Sequence, residues 1–249
     1  MFAKIVSALV LAAALTPAAH ATTYTVFDGI AAGRADFDNV VVSSGGTVAN
    51  DTWTGSFSGT AVDRGDYTIT RNNGGSFSTN SYGSLSGTAM SIDPYTTAPG
   101  GSYPRTDPLD YFASGITFTF DQAINSFGFE VGDWATCCFD PTTDLYISFD
   151  GGSPILVASA SEYEDGRFPT QNGGGYDVNE IFVAAFDDTG TFTTVSFWGN
   201  GIGEILVAGG DVRYAAIDEG SLPSEVPVPA AGLLLAGGLG LFGLMRRRA

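Results

Sequence analysis

The sequence predicts an all-β chain: an antiparallel β-sandwich, jelly-roll or lectin-like in form, between an N-terminal signal peptide and a C-terminal segment with a single transmembrane helix. Three observations predict it. Short runs of alternating apolar and polar residues crowd the second half of the chain. Gly, Asn, Asp, Ser and Pro punctuate those runs. No amphipathic helical run intervenes, which argues for antiparallel sheets and against strand–helix–strand units.

The first element is Met1–Ala21. Lys4, the apolar run Ile5–Leu15, and Ala19-His20-Ala21 ahead of Thr22 follow the order of a secretory signal with its cleavage site. The body, 22–225, has 204 residues, a size for one large β domain or two small ones. It opens on the alternating strand Thr22–Asp28. Asn39–Val42, Thr52–Phe57 and Tyr67–Thr70 are short strand candidates among turn residues. Between Gly59 and Asp110 apolar residues thin out and glycine turns multiply, as in a loose insertion or a layer of binding loops. Asp93–Pro108 carries four prolines and is expected to be irregular.

From Tyr111 the pattern sharpens. Ile116–Phe120 alternates strictly, and Ile124–Val131 follows the turn-like Asp121-Gln122. Asp144–Phe149, Ile155–Ala158, Glu180–Phe186, Thr191–Trp198, Glu204–Ala208 and Val212–Ile217 complete the series. Within it, Phe127, Phe129 and Val131 share one face. Glu130 falls on the other with Ser126 and Gly128, and a solvated sheet face is expected there. No internal repeat points to a solenoid or propeller.

Charge narrows the chemistry. Lys4 and three terminal arginines lie outside the body, so six arginines there face all 27 acids, a net charge of −21. The body holds no lysine, and the single histidine, His20, is in the signal. Nucleophiles activated by imidazole, histidine-ligated zinc and lysine phosphate loops are thereby excluded. Nucleic acid is excluded as a partner by the acidity. Calcium, a hard cation bound by oxygen, is the cofactor such a composition favours; solubility outside the cell explains the acidity equally well.

Two clusters are candidate sites. In the first, Asp133, Trp134, Cys137 and Cys138 fall within six residues, and Trp198 is a further indole. Cys137 and Cys138, the only cysteines, are adjacent. In an exported protein they either close a strained vicinal disulfide or stand as two buried thiols. Trp134 is either a platform for stacking on a sugar ring or a core residue. The second cluster is Asp177, Asn179, Asp187 and Asp188, read either as calcium ligands or, for Asp187-Asp188 before Thr189-Gly190, as a hairpin turn. Glycoside hydrolysis needs only two carboxylates, so the missing histidine leaves it open, with Glu130, Glu162, Glu164 and Glu204 as candidates.

The last element is 226–249. Val226-Pro227-Val228-Pro229 precedes the apolar run Ala230–Met245, and Arg246, Arg247 and Arg248 follow it. The run is 16 residues, or 20 counted from Val226, a short span against the roughly 20 a bilayer core requires. The arginines are expected to stay cytoplasmic. This tail resembles the PEP-CTERM sorting signals of Gram-negative bacteria, and most closely their VPLPA-type variant. The resemblance covers about a tenth of the chain. It implies an exosortase-type processing enzyme as partner, a precursor anchored in the inner membrane, and transfer of the body to the cell surface or an extracellular matrix. The segment Phe127–Gly152, with FGFEVGDW and LYISFDGG, and Phe197–Gly210, FWGNGIGEILVAGG, resemble body domains that often precede that signal. Those imply a β-sandwich of the lectin or carbohydrate-binding kind.

Together these readings describe an exported, non-catalytic sandwich that binds carbohydrate or serves in an extracellular polysaccharide matrix. The alternatives are a purely structural matrix or envelope protein, and a glycoside hydrolase using a carboxylate pair.

Overall fold

The computed structural model of the chain describes residues 22–92, 107–135, 143–199 and 206–222. The signal peptide, Cys137, Cys138, Glu204 and the whole sorting segment lie outside the described residues. No helix among the described residues is long and apolar enough to cross a membrane.

Two antiparallel sheets pack face to face. The first comprises β1 (Thr23–Gly29), β2 (Ala49–Thr52), β5 (Thr79–Asn80), β6 (Ala89–Ile92), β8 (Ser126–Gly132), β13 (Glu180–Asp187) and β15 (Leu206–Ala215). Its order is β1-β13-β8-β15-β6-β5, with β2 also paired to β15. The second comprises β3 (Ala61–Asp63), β4 (Tyr67–Arg71), β7 (Ile116–Ile124), β9 (Thr143–Phe149), β10 (Ile155–Ala160) and β14 (Phe192–Gly199), in the order β10-β9-β14-β7-β4-β3. A small ribbon pairs β11 (Phe168–Pro169) with β12 (Asp177–Val178). From β6 onward the chain passes between the sheets at every step except the β9–β10 pair, laying β6-β15-β8-β13 over β7-β14-β9-β10. That alternating order is the jelly-roll form.

The alternation read from sequence holds the sandwich together. Phe118 and Phe120 of β7 meet Phe127 and Phe129 of β8, with Phe118 and Phe127 centroids 4.6 Å apart. Phe129 meets Phe197 of β14 edge-on at 4.7 Å. Trp53, Tyr67, Ile69, Val131, Leu145, Ile147, Ile181, Val183 and Val195 complete one core shared by both sheets. Burial of this apolar surface is the main force closing the sandwich.

Four elements differ from the sequence reading. Thr52–Phe57 is not a strand beyond its first residue; the strand there is β2, Ala49–Thr52. Asp121-Gln122 do not turn; β7 runs on to Ile124, with a register slip against β14 at Phe192–Thr194. The corner is Asn125, whose Nδ2 donates to Gly190 O and Ile217 O while its Oδ1 accepts from Ile217 N. The two last predicted strands are one, β15, broken by a bulge around Gly209-Gly210. Asn39–Val42 is not a strand. It belongs to helix α1, Ile30–Ser43. Ile30, Gly33, Phe37 and Val41 recur at helical spacing and are the buried face. Phe37 and Val41 pack against Val26, Phe182, Ala184 and Phe186 on the outside of the first sheet. Burial there outweighs the weak strand preference of Val40, Val41 and Val42.

Candidate functional site

Strand registers gather the ends of both sheets at one end of the sandwich. Glu180 lies opposite Gly132, Val207 opposite Gly132, and Leu206 opposite Ile92. Ala160 lies opposite Thr143, and Gly199 opposite Leu145. Leu206 and Leu145 both crowd Gly199, so the two sheet ends coincide. Trp134, Trp198 and the 161–179 connection all sit here.

The predicted stacking platforms are not platforms. Asp133 and Ala135, on either side of Trp134, are both left-handed, each with φ 58°. The indole is wholly buried, edge-on to Phe27 at 5.3 Å, and its Nε1 has no acceptor among the described residues. Asp133 Oδ1 accepts from Tyr82 OH at 3.1 Å. Trp198 is also buried. Its Nε1 donates to Pro108 O at 2.8 Å, Phe112 meets it edge-on, and Tyr146 lies nearly parallel at 5.9 Å. Both tryptophans are therefore core residues.

The four expected calcium ligands do not meet. Asp177 and Asn179 precede β13, whereas Asp187 and Asp188 end it, so an eight-residue strand holds the pairs roughly 25 Å apart. Asp187-Asp188 form a turn, as one reading had it, but the turn carries the chain from one sheet to the other rather than closing a hairpin. Buried Asp188 is committed elsewhere: its carboxylate accepts from Thr22 N at 2.6 Å and from Leu222 N at 2.8 Å. No group of three or more potential metal ligands occurs among the described residues.

Glu130 corrects another expectation. The alternation is right but the face is not solvated. Helix α1 and residues 82–88 cover it, and Glu130 is 0% exposed. Its carboxylate accepts from Ser86 N at 2.6 Å and from Arg34 Nη1 at 3.3 Å. Burial pushes its pKa up to about 7, against the pull of the Ser86 hydrogen bonds and Arg34. Glu180 on the neighbouring strand accepts from Ser84 N at 2.7 Å and from the Ser84 hydroxyl. The two glutamates thus pin residues 84–86 to the sheet. Gly83 and Gly210, at φ 46° and 71°, allow the approach: a Cβ on either would collide with Glu180 or Glu130. Glu130 and Glu180 are thus buried, whereas Glu162 and Glu164 are exposed.

The same node anchors a surface that the sequence reading passed over. Arg34 Nη2 donates to Gln171 Oε1 at 3.0 Å, the Ser86 hydroxyl donates to the same oxygen, and the Ser84 and Thr170 hydroxyls are 3.3 Å apart. Phe168 packs edge-on against Phe27 at 5.3 Å. These contacts fix the 161–179 connection, whose 3-10 turn Tyr163–Gly166 is tied by Asp165 accepting from Ser161 and Glu162. On its outside stand Tyr163, 43% exposed, and Tyr176, 63% exposed. Between them in sequence is Arg167, its guanidinium 5.1 Å from the centre of the Tyr163 ring and its Nη2 donating to Asp177 O at 3.2 Å. Among the described residues Arg167 forms no ion pair with a carboxylate. The available signal was an isolated aromatic in a glycine-rich turn: Tyr176 follows Gly173-Gly174-Gly175, where a structural core aromatic has no place.

No protein-family model matches the chain, and no curated protein matches it. Among solved structures, two mutant forms of a family 29 carbohydrate-binding module are similar to it. One is 10% identical and covers 73% of this chain and 99% of its own, with a TM-score of 0.34. The other is 11% identical and covers 80% of this chain and 96% of its own, with a TM-score of 0.30.

Proposed function

We propose that this is an exported, non-catalytic β-sandwich that holds an uncharged polysaccharide at the Tyr163–Arg167–Tyr176 ridge. The observation that carries the proposal is the connection itself: it bears two solvent-facing tyrosines and, between them in sequence, an arginine with no carboxylate partner among the described residues, and it is pinned to the sheet behind it. Tyrosine offers an apolar face with a polar tip at low entropic cost. An arginine already held against a ring and a carbonyl donates to hydroxyls without first being ordered. A body charge of −21 repels acidic polymers, so the ligand is neutral. The tail supports surface delivery: its proline motif, apolar run and arginines resemble a sorting signal processed by an exosortase-type enzyme.

Affinity electrophoresis of the full-length protein tests the binding. Gels containing glucomannan or hydroxyethylcellulose should retard the protein, gels containing polygalacturonate should not, and Tyr176→Ala should be retarded far less than wild type. Equal retardation of wild type and Tyr176→Ala removes the ridge from the reading.

A second reading, a structural matrix protein with no discrete ligand, is favoured by the burial of both Trp134 and Trp198. No retardation by any neutral polysaccharide would establish it over the first.

A further inference from the structure

Asp188 is a fully buried carboxylate, 0% exposed, whose oxygens are held by backbone nitrogens alone. Its Oδ1 accepts from Thr22 N at 2.6 Å and its Oδ2 from Leu222 N at 2.8 Å. Asp188 N donates back to Thr22 O at 3.3 Å, and Gly220 N donates to Asp188 O at 3.2 Å. Among the described residues no arginine pairs with this carboxylate. The charged residues beside it in the chain and in the turn bonded to it, Asp187, Asp218 and Glu219, are all acids. An aspartate closed off from water in this way ordinarily has a positive partner.

The sequence offers one at this same atom. Thr22 follows Ala19-His20-Ala21, the expected end of the signal. The nitrogen seated on Asp188 is therefore the nitrogen that signal removal turns from an amide into an amine. A peptidase of the exporting cell adds water across the Ala21–Thr22 bond. The carbonyl carbon leaves with Ala21 as a carboxylate, and the nitrogen stays on Thr22 and takes up the proton. An α-amino group with an ordinary pKa of about 7.7–8.0 is mostly ammonium at neutral pH.

We infer that signal removal completes the fold: the new α-ammonium of Thr22 becomes the ion-pair partner of buried Asp188. The hydrogen bond to Oδ1 is then charge-assisted and stronger than the one an amide makes. The precursor holds the same contact with a neutral donor, so its native state is the less stable of the two. Asp188 also accepts from Leu222, four residues ahead of Val226, so one carboxylate secures the processed N-terminus and the stretch leading to the sorting segment. The inference rests on reading Met1–Ala21 as a signal and is independent of the polysaccharide reading.

The composition supplies a selective test. Lys4 is the only lysine of the chain, so after processing the Thr22 α-amine is its one primary amine. Protein exported and processed by a bacterial host should begin at Thr22 on N-terminal sequencing. Cyanate, followed on the N-terminal peptide ending at Arg34, should carbamylate that amine about tenfold or more slowly in the folded protein than in denaturant, as one unit of raised pKa requires. Asp188→Asn should bring the folded rate up to the denatured one. Carbamylation driven to completion makes the nitrogen neutral and should lower the melting temperature by about 2–6 °C in the wild type, and by less in Asp188→Asn. Should Asp188→Asn not fold, the wild-type rate ratio and melting shift decide alone. Equal rates in folded and denatured protein, or a melting temperature that carbamylation does not move, overturn the inference and leave the signal reading standing. A processed chain that begins at any other residue overturns both.

Discussion

Glu130 is an acid whose buried position sets its proton affinity. Its pKa of about 7 lies above the ordinary 4.5, so the folded state binds its proton more tightly than the unfolded state. Stability from this group is fully present below pH 4.5 and is lost as pH rises towards and through 7. Denaturant titrations at pH 4.5 and pH 7.5 should differ by up to about 3 kcal/mol on its account. Glu130→Gln should flatten that slope while keeping a partner for Ser86. An unchanged slope would place the charge of Glu130 in contact with water. Trp134 and Trp198 are residues of the other kind, apolar mass in a closed core. Trp134→Ala should cost about 3–5 kcal/mol without altering polysaccharide affinity at temperatures where the variant is folded. Selective loss of binding in a stable Trp134→Ala protein would return the indole to the ligand.

At the scale of the element, Asp188 ties the end of the first sheet to two distant segments, accepting from Thr22 N and from Leu222 N. Asp188→Ala leaves two amides without an acceptor and should cost about 1–3 kcal/mol. Amide exchange should rise first at residues 22–24 and 220–222. A global loss with no local increase would make the residue a core determinant instead.

Strands were the legible elements, because alternation survives in the chain wherever one face is buried. Ile116–Phe120, Asp144–Phe149 and Glu180–Phe186 carry it; the last two are strands close to their expected limits, and the first opens a strand that runs on to Ile124. Helix α1 was illegible for the opposite reason. Its buried face is built on Gly33 beside Phe37, and it ends in three valines whose strand preference only tertiary packing overrides. The candidate sites divide the same way. Turn chemistry around Asp187 could be read locally, while the fate of Trp134 depended on two left-handed neighbours that no pattern announces. Glu130 was placed on the correct face; what covers that face comes from segments about 45 and 95 residues away in the chain.

For the whole molecule, charge decides what may approach. With −21 on the body, the proposed neutral glycan would be bound by stacking and hydrogen bonds with little counterion exchange. Its affinity should therefore change less than about twofold between 50 mM and 500 mM salt. A steep salt dependence would indicate a charged ligand. If the tail sorts the protein, mature molecules from the native host should lack Leu233–Leu244; an intact tail on all of them would mean a plain membrane anchor.

The most direct test of the ridge is the chemical reactivity of its tyrosines. Tetranitromethane should nitrate Tyr163, Tyr176 and Tyr24 in the free protein, since all three are at least 40% exposed. With saturating glucomannan, Tyr163 and Tyr176 should become severalfold less reactive, while Tyr24, on the far end of β1, keeps its rate. Unchanged nitration of Tyr163 and Tyr176 in protein demonstrably bound to the polysaccharide would contradict the account, because the ligand would then be seated somewhere else.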